Sequence, residues 1–247
     1  MNTDVYIISH KDYDFPKMKS YFTVLAGANK NSANLMYTDN VGDNISDLNY
    51  RYCELTAQYW VWKNIINSNN VGFVHYRRFF YQNPLSKKIV STSQFSSDLS
   101  EYDIILPEPH YLKLTVRDHY KKYHHIDDLN RIGNIISEIS PKYLTSYTDL
   151  MNRHGICLYN MFISRRYVFD EYMTWLFSIL KSFTQASDVS HYSAYNQRLE
   201  GFLSERLLNV WVGANDFKVK YYPVFVNDEN HFIETANNMC KRLIFRS

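Results

Sequence analysis

The segment Val71-Gly-Phe-Val-His-Tyr-Arg-Arg-Phe-Phe80 constrains this chain more than any other. Val71–Val74 has the composition of a short strand buried on both faces. The strand delivers His75, Tyr76, Arg77 and Arg78 together at its C-terminal end. In open α/β sheets the ligand crevice lies at the carboxyl ends of strands. Two guanidinium groups there suit a phosphate or diphosphate, because each is a planar fork of donors that keeps its charge. The alternative is an edge strand followed by two solvated arginines.

The surrounding pattern favours one α/β domain over residues 1–247. Val5–Ser9 predicts a first strand ending in His10-Lys11. Phe15–Leu25 reads as helix or irregular chain, and Asn29–Asn44 as loop. Ser46 opens a long helix to about Asn67, with Leu48, Tyr52, Leu55, Tyr59, Trp62 and Ile66 as its buried stripe. Asp103–Leu106 and Cys157–Ser164 predict strands. Helices are expected over Thr115–Lys122, Asp127–Ile139, from Ser140-Pro141 onward, over Arg166–Phe183 and over Tyr195–Val212. A late strand, Phe217–Val226, precedes a basic tail, Lys241–Ser247.

Hydrophobic residues at 45% and charged residues at 21% place the chain in the globular class. A net charge of +2 excludes a polyelectrolyte binder of nucleic acid. The 22 tyrosines suit sugar or nucleobase surfaces, through an apolar face and a polar tip. Cys53, Cys157 and Cys240 form no metal or disulfide spacing, which fits a reducing cytoplasm. No apolar run approaches the roughly 20 residues of a membrane span, so membrane association is expected to be peripheral at most. Lys113–His125 is locally basic and suits either a phosphate or membrane face or a solvated helix.

Three further groupings bear on chemistry. Gly42-Asp-Asn-Ile-Ser46 precedes a helix, so Asp43, Asn44 and Ser46 either face a nucleotide or cap that helix. Arg198, Gly201, Glu205 and Asn209 fall on one strip of the final helix. Glu205 there is either a positioned general base or part of a solvated Arg–Glu face. His124, His125, Asp127 and Asp128 cluster as a metal pair, a base with its orienter, or an exposed face.

Several phrases then occur in a specific order: Ser9-His-Lys11, Gly42–Ser46, Asn49-x-x-Tyr-Cys-Glu-Leu-Thr56, Tyr59-x-x-Trp-Lys-Asn64, His75–Arg78, His124–Asp128, Tyr159-Asn-Met-Phe-Ile163 and Arg198-x-x-Gly-Phe-Leu-Ser-Glu-Arg-Leu207. Together they resemble a bacterial capsule and exopolysaccharide glycosyltransferase family long catalogued as a domain of unknown function and implicated in galactofuranose transfer. The resemblance implies a GT-A-like fold with a central mixed, mostly parallel sheet flanked by helices. It implies UDP-galactofuranose as donor and a polysaccharide or lipid-linked glycan as acceptor. Many metal-dependent members of that fold carry Asp-x-Asp at the end of a buried strand. The place after Val71–Val74 holds His75–Arg78 instead, so no metal or other cofactor is expected.

On that basis His10, Lys11, Asp43, Asn44 and Ser46 are expected on the nucleotide side, and His75, Arg77 and Arg78 at the diphosphate. Glu205 is the expected base. His124, Asp128, Asn160, Arg198 and Arg206 are expected near the sugar or acceptor, with Asp118, Asp128 and Glu200 as other base candidates. The rivals are another UDP-sugar such as UDP-galactopyranose, a non-catalytic carbohydrate-binding module, and a single-stranded RNA binder. The last is disfavoured by the modest basic charge.

Overall fold

A computed structural model describes residues 2–85 and 88–226, so the expected basic tail Lys241–Ser247 lies outside the described residues. In chain order the elements are β1 (Thr3–Ser9), β2 (Tyr21–Leu25), β3 (Tyr37–Thr38), a 3-10 turn (Ser46–Leu48), α1 (Asn49–Tyr52), α2 (Leu55–Asn64), β4 (Asn70–His75), β5 (Arg78–Phe80) and α3 (Thr92–Asp98). There follow β6 (Ile104–Pro107), β7 (His110–Tyr111), α4 (Val116–Tyr123), α5 (Ile126–Ile139), a second 3-10 turn (Pro141–Tyr143), α6 (Leu144–Asn152) and β8 (Gly155–Ile156). The last are β9 (Phe162–Arg165), α7 (Arg166–Ala186), α8 (Leu199–Gly213), β10 (Val219–Tyr222) and β11 (Val224–Val226).

The main sheet runs β10-β6-β9-β4-β1-β2-β3. β1 is parallel to both β2 and β4, β2 to β3, and β6 to β10. β9 runs antiparallel to β4 and β6. The sheet is therefore mixed and mostly parallel. β5 folds back on β4 and carries β11.

Alternate residues of β1 feed two cores, as the two-residue strand period requires. Tyr6 and Ile8 join Phe73, Phe162 and the apolar faces of α2, α5, α7 and α8. Val5 and Ile7 join Val74, Phe79, Phe80, Phe95 and Phe225 on the other face. With both faces covered, the central strands read as continuous apolar runs. Gly72 lies opposite Ile163 in the β4–β9 ladder, and a Cβ there would overlap the Ile163 side chain. Among the described residues no helix is long and apolar enough to cross a membrane.

Three local expectations fail for physical reasons. The single helix from Ser46 to Asn67 is broken at Cys53, whose φ is 50°. Asn49 spans the break, its side-chain amide donating to the Cys53 carbonyl at 2.8 Å and to Thr56 Oγ1 at 3.1 Å. The break rotates α2, so Ala57, Gln58, Trp60 and Val61 are buried while Ile66, beyond its end, is 73% exposed. Phe15–Leu25 is not helical; its second half is β2, which takes its place beside β1. Of the strand expected over Cys157–Ser164 only the end forms, as β9; Tyr159 and Asn160, at φ 79° and 50°, turn the chain before it, and β8 lies ahead of Cys157.

A buried ion pair ties α1, α7 and α8 together. Arg51 donates to both carboxylate oxygens of Glu200, the Nε–Oε2 bond being 3.0 Å, and to Ser187 Oγ at 2.7 Å. Thr184 Oγ1 also donates to Glu200, at 2.8 Å. Glu200 is 0% exposed, so this candidate base is a structural anion. Arg51→Met leaves that carboxylate buried without its cation and should cost about 3–5 kcal/mol. Urea unfolding of the variant checks this, and a loss below about 1 kcal/mol would contradict it.

Candidate active site

The carboxyl ends of β1 and β4 bring four cation-bearing residues to one corner. Tyr76 is its hub. The His10 ring meets Tyr76 edge-on at 5.4 Å, and Tyr13 meets it at 5.1 Å. The Lys11 ammonium and the Arg77 guanidinium each lie 5.6 Å from the Tyr76 ring. Burial, then Lys11, Arg198 and Arg77, hold the His10 imidazole below its ordinary pKa. Arg198, the residue before α8, is thus among the charges that act on this corner. Its Nε donates to Cys53 Sγ at 3.2 Å. Burial raises that thiol to about 12, so Cys53 is protonated and no nucleophile.

Behind the cations, α8 reads the segment before β9 one turn at a time. Asn209 accepts from the Cys157 amide at 2.9 Å and donates to its carbonyl at 2.8 Å. Glu205 Oε1 accepts from the Tyr159 amide at 2.9 Å. The Gly201 carbonyl accepts from Asn160 Nδ2 at 3.2 Å. The strip Gly201, Glu205, Asn209 is thus a ladder that holds Tyr159 and Asn160 in left-handed backbone geometry. Such geometry costs free energy for residues other than glycine, and the surrounding bonds must over-determine it.

That ladder presents Tyr159 to the arginines. Arg78 lies 4.7 Å above the Tyr159 ring. His75 Nε2 is 2.6 Å from the Tyr159 carbonyl, so it is the protonated nitrogen of a neutral ring. Burial, with Arg78 nearby, pushes His75 down to about 4.

Two carboxylates meet at this turn. Glu205 Oε2 accepts from Arg206 at 2.9 Å. Burial raises the Glu205 pKa against the pull of Arg206, and the Glu54 charge raises it further. Glu54, at the helix break, accepts from Asn160 Nδ2 through Oε1 at 2.6 Å. Burial also raises Glu54, opposed by Asn160, its own amide, Arg198 and Arg78.

The other expected site residues are placed differently. Ser46 is 2% exposed and donates to Asp39 Oδ1 at 2.7 Å. Asp39 in turn accepts from the Gly27 and Ala28 amides at the end of β2. Asp43 accepts from the Tyr59 hydroxyl at 3.0 Å, and Asn44 bridges the Gly42 carbonyl and the Ser46 amide. These three residues shape the loop before α1, and the bonds described here do not link them to His10 or the arginines. Asn160 is 2% exposed, its amide held by Glu54 and Gly201 and its carbonyl by Gln58. It is an inner latch of the ladder.

His124 packs on Phe202 at 4.3 Å and Tyr195 at 5.8 Å, and burial pushes it down to about 4. The Arg198 guanidinium lies 5.6 Å from the same Phe202 ring. Asp128, 1% exposed, accepts from the Tyr192 hydroxyl at 3.2 Å, one step further from the corner. Arg206, 4% exposed, lies 5.3 Å from the Tyr120 ring. At the start of α4 Thr115 Oγ1 accepts from the Asp118 amide at 3.1 Å and donates to Asp118 Oδ2 at 2.9 Å, so Asp118 is bound into the cap.

Residues 4–216 match the model of a family described as Domain of unknown function (DUF4422). This chain is a member of the DUF4422 family. A solved structure titled WbbM bifunctional glycosyltransferase, in its apo form, superposes with a TM-score of 0.84 at 29% identity over 92% of this chain. The chain spans 46% of that protein's length. No curated protein sequence matches the chain. The architecture is that of the GT-A-like glycosyltransferase fold.

In this DUF4422 chain the one Asp-x-Asp triplet, Asp12-Tyr13-Asp14, follows β1 and not β4. Asp12 Oδ1 accepts from the Asn34 amide at 3.0 Å. Among the described residues no three His, Cys, Asp or Glu side chains gather as a ligand set. Sequence patterns assigned no role to Glu54 or Tyr159, although both stand in the family phrases. The signal was there for Glu54: a Cys-Glu pair interrupts the apolar periodicity.

The neutral His75 gives a direct test. Its pKa near 4 keeps the ring uncharged at and above pH 5. The His75 Hε1 resonance should stay fixed between pH 5 and 8 in an NMR titration. A midpoint near 6.5 would contradict the buried, neutral ring.

Proposed function

We propose that this chain is an inverting glycosyltransferase that transfers galactofuranose from UDP-galactofuranose to a surface-polysaccharide or lipid-linked acceptor. One observation carries the proposal. Lys11 and Arg77 flank the Tyr76 ring that His10 meets edge-on, at the carboxyl ends of two parallel strands, and the Arg198 charge also acts on His10. Arg78 stands beside them over Tyr159. A diphosphate leaving group needs positive charge preorganised where its own charge develops. A ligand crevice at the carboxyl ends of the strands supports a sugar nucleotide at this edge of the sheet, and the resemblance carried by the ordered sequence phrases supports galactofuranose as the sugar.

In the proposed reaction the arginines and Lys11 receive the UDP leaving group. A carboxylate behind them takes the acceptor proton. The proposed role of the cations is to neutralise the diphosphate in place of a metal, so the proposed transfer uses no cofactor. Tyr76, Tyr13, Tyr195 and Phe202 offer ring faces to the nucleotide or to sugars. The proposed setting is the cytoplasm, at the inner face of the membrane when the acceptor is lipid-linked.

Incubation with UDP-galactofuranose and UDP-hexopyranoses, followed by mass spectrometry, tests the donor. UDP release and a hexosyl mass gain are expected with the furanose alone. Turnover of UDP-galactopyranose instead would contradict the donor assignment. Binding of glycans with no turnover would favour the carbohydrate-module reading.

Arg77→Ala and Arg78→Ala should each lower kcat about 10²-fold, the scale of losing a principal charge stabiliser. Wild-type rates in both would overturn the diphosphate role. Activity should persist in EDTA within a few-fold. Abolition by EDTA and recovery with Mn²⁺ would show that a metal acts, with Asp12 and Asp14 as the first residues to test.

A further inference from the structure

The geometry points to Glu54 as the general base of the proposed transfer, with Glu205 as a positioning residue that holds the turn against it. The inference rests on the glycosyltransferase reading and deepens it. It moves the base from the carboxylate that the helical wheel selects to one that the wheel hides.

The two carboxylates differ in what they hold. Both Glu205 oxygens have protein partners, Oε1 the Tyr159 amide and Oε2 the Arg206 guanidinium. Glu205 is the middle rung of a ladder whose outer rungs, Gly201 and Asn209, have no acid–base chemistry. It belongs to that ladder by position and by bonding. Glu54 Oε1 takes one hydrogen bond, from Asn160, and Oε2 accepts none from any other described residue. No other described residue competes with an acceptor hydroxyl for that oxygen.

The backbone around Glu54 is unusual. Of the four non-glycine residues at positive φ among those described, Cys53 precedes it and Asn160, which follows Tyr159 in the same turn, bonds to it. Cys53 breaks the helix one residue before Glu54, and Asn160 supplies its hydrogen bond. Gly201 lets α8 pack closely on the break, since a Cβ there would stand 3.1 Å from Cys53 Sγ. Strained backbone persists where it is over-determined, and it concentrates at functional sites. Here two strained segments from distant parts of the chain fix one carboxylate.

The charges place Glu54 beside the leaving group. Arg198 and Arg78 both act on it, and both belong to the corner that receives the diphosphate. Burial makes the carboxylate more basic than a solvated one, and Arg198 and Arg78 oppose part of that rise. In the step itself the acceptor oxygen bonds to the anomeric carbon and its proton passes to Glu54 Oε2. The anomeric carbon–oxygen bond to the β-phosphate breaks, and UDP departs with the bonding pair.

Glu54→Gln preserves the shape and the acceptor for Asn160. Its kcat should fall about 10²–10⁴-fold, the range for loss of a general base. UDP affinity by calorimetry should stay within a few-fold. Glu54→Ala should regain turnover in added formate, which replaces the missing carboxylate. Glu205→Ala should lose activity with weakened donor binding, and formate should not restore it. Wild-type kcat in Glu54→Gln overturns the inference, as does formate rescue of Glu205→Ala without rescue of Glu54→Ala. A wild type that turns over no UDP-sugar overturns the glycosyltransferase reading as well, so the two failures are distinct. A Glu54→Gln chain that loses UDP binding along with turnover assigns Glu54 to binding and also overturns the inference.

Discussion

The ladder between α8 and residues 157–160 is the constraint on which the site depends. An extended segment entering β9 would run straight into the sheet. Instead Asn209, Glu205 and Gly201 capture it at successive helical turns. Tyr159 and Asn160 adopt left-handed geometry as a result. That geometry turns the Tyr159 ring under Arg78 and its carbonyl onto His75. It also delivers the Asn160 amide to Glu54. One helix strip therefore organises a strand end, a helix break and two carboxylates.

The site separates its charges by depth. Lys11 and Arg77 are exposed at the strand ends, where an anionic ligand arrives. Glu54 and Glu205 sit behind them, half-buried, with pKa values raised by burial. His75 lies between the two layers as a neutral donor. A proton acceptor behind a cationic rim suits a reaction in which one partner leaves as an anion and the other gives up a proton. The buried Arg51–Glu200 pair, by contrast, is closed on itself and fixes how α1 meets α8.

Much of this was legible in the sequence because it depends on local pattern. β1, β4, β6 and the helices α4, α5, α7 and α8 follow from apolar periodicity, and the 3-10 turn leading into α6 from Ser-Pro punctuation at residues 140–141. His10, Lys11, Arg77 and Arg78 were placed together because they follow two buried strands. The break at Cys53 and the turn at Tyr159–Asn160 were not legible, since each is held by side chains more than 40 residues away or by Asn49 across the gap. β2 was missed because Tyr21-Phe-Thr-Val-Leu25 becomes a strand only by pairing with β1. The polar strip of α8 was found, but its partner was not. Spacing shows which residues share a face and is silent on what that face meets. Ser46 and Asn160 look like ligand contacts for the same reason, while Ser46 is held by Asp39 across a short loop and Asn160 by Glu54, 106 residues away.

The most direct test of the account is a crystal structure of the complex with UDP. The account places diphosphate oxygens within hydrogen-bonding distance of Arg77 or Arg78 and Lys11 or Arg198, with the Glu54 carboxylate facing the β-phosphate side. A diphosphate bound elsewhere, for example in the groove lined by Asn67, Ser68, Ser96 and Arg165 near the amino end of β4, would contradict it.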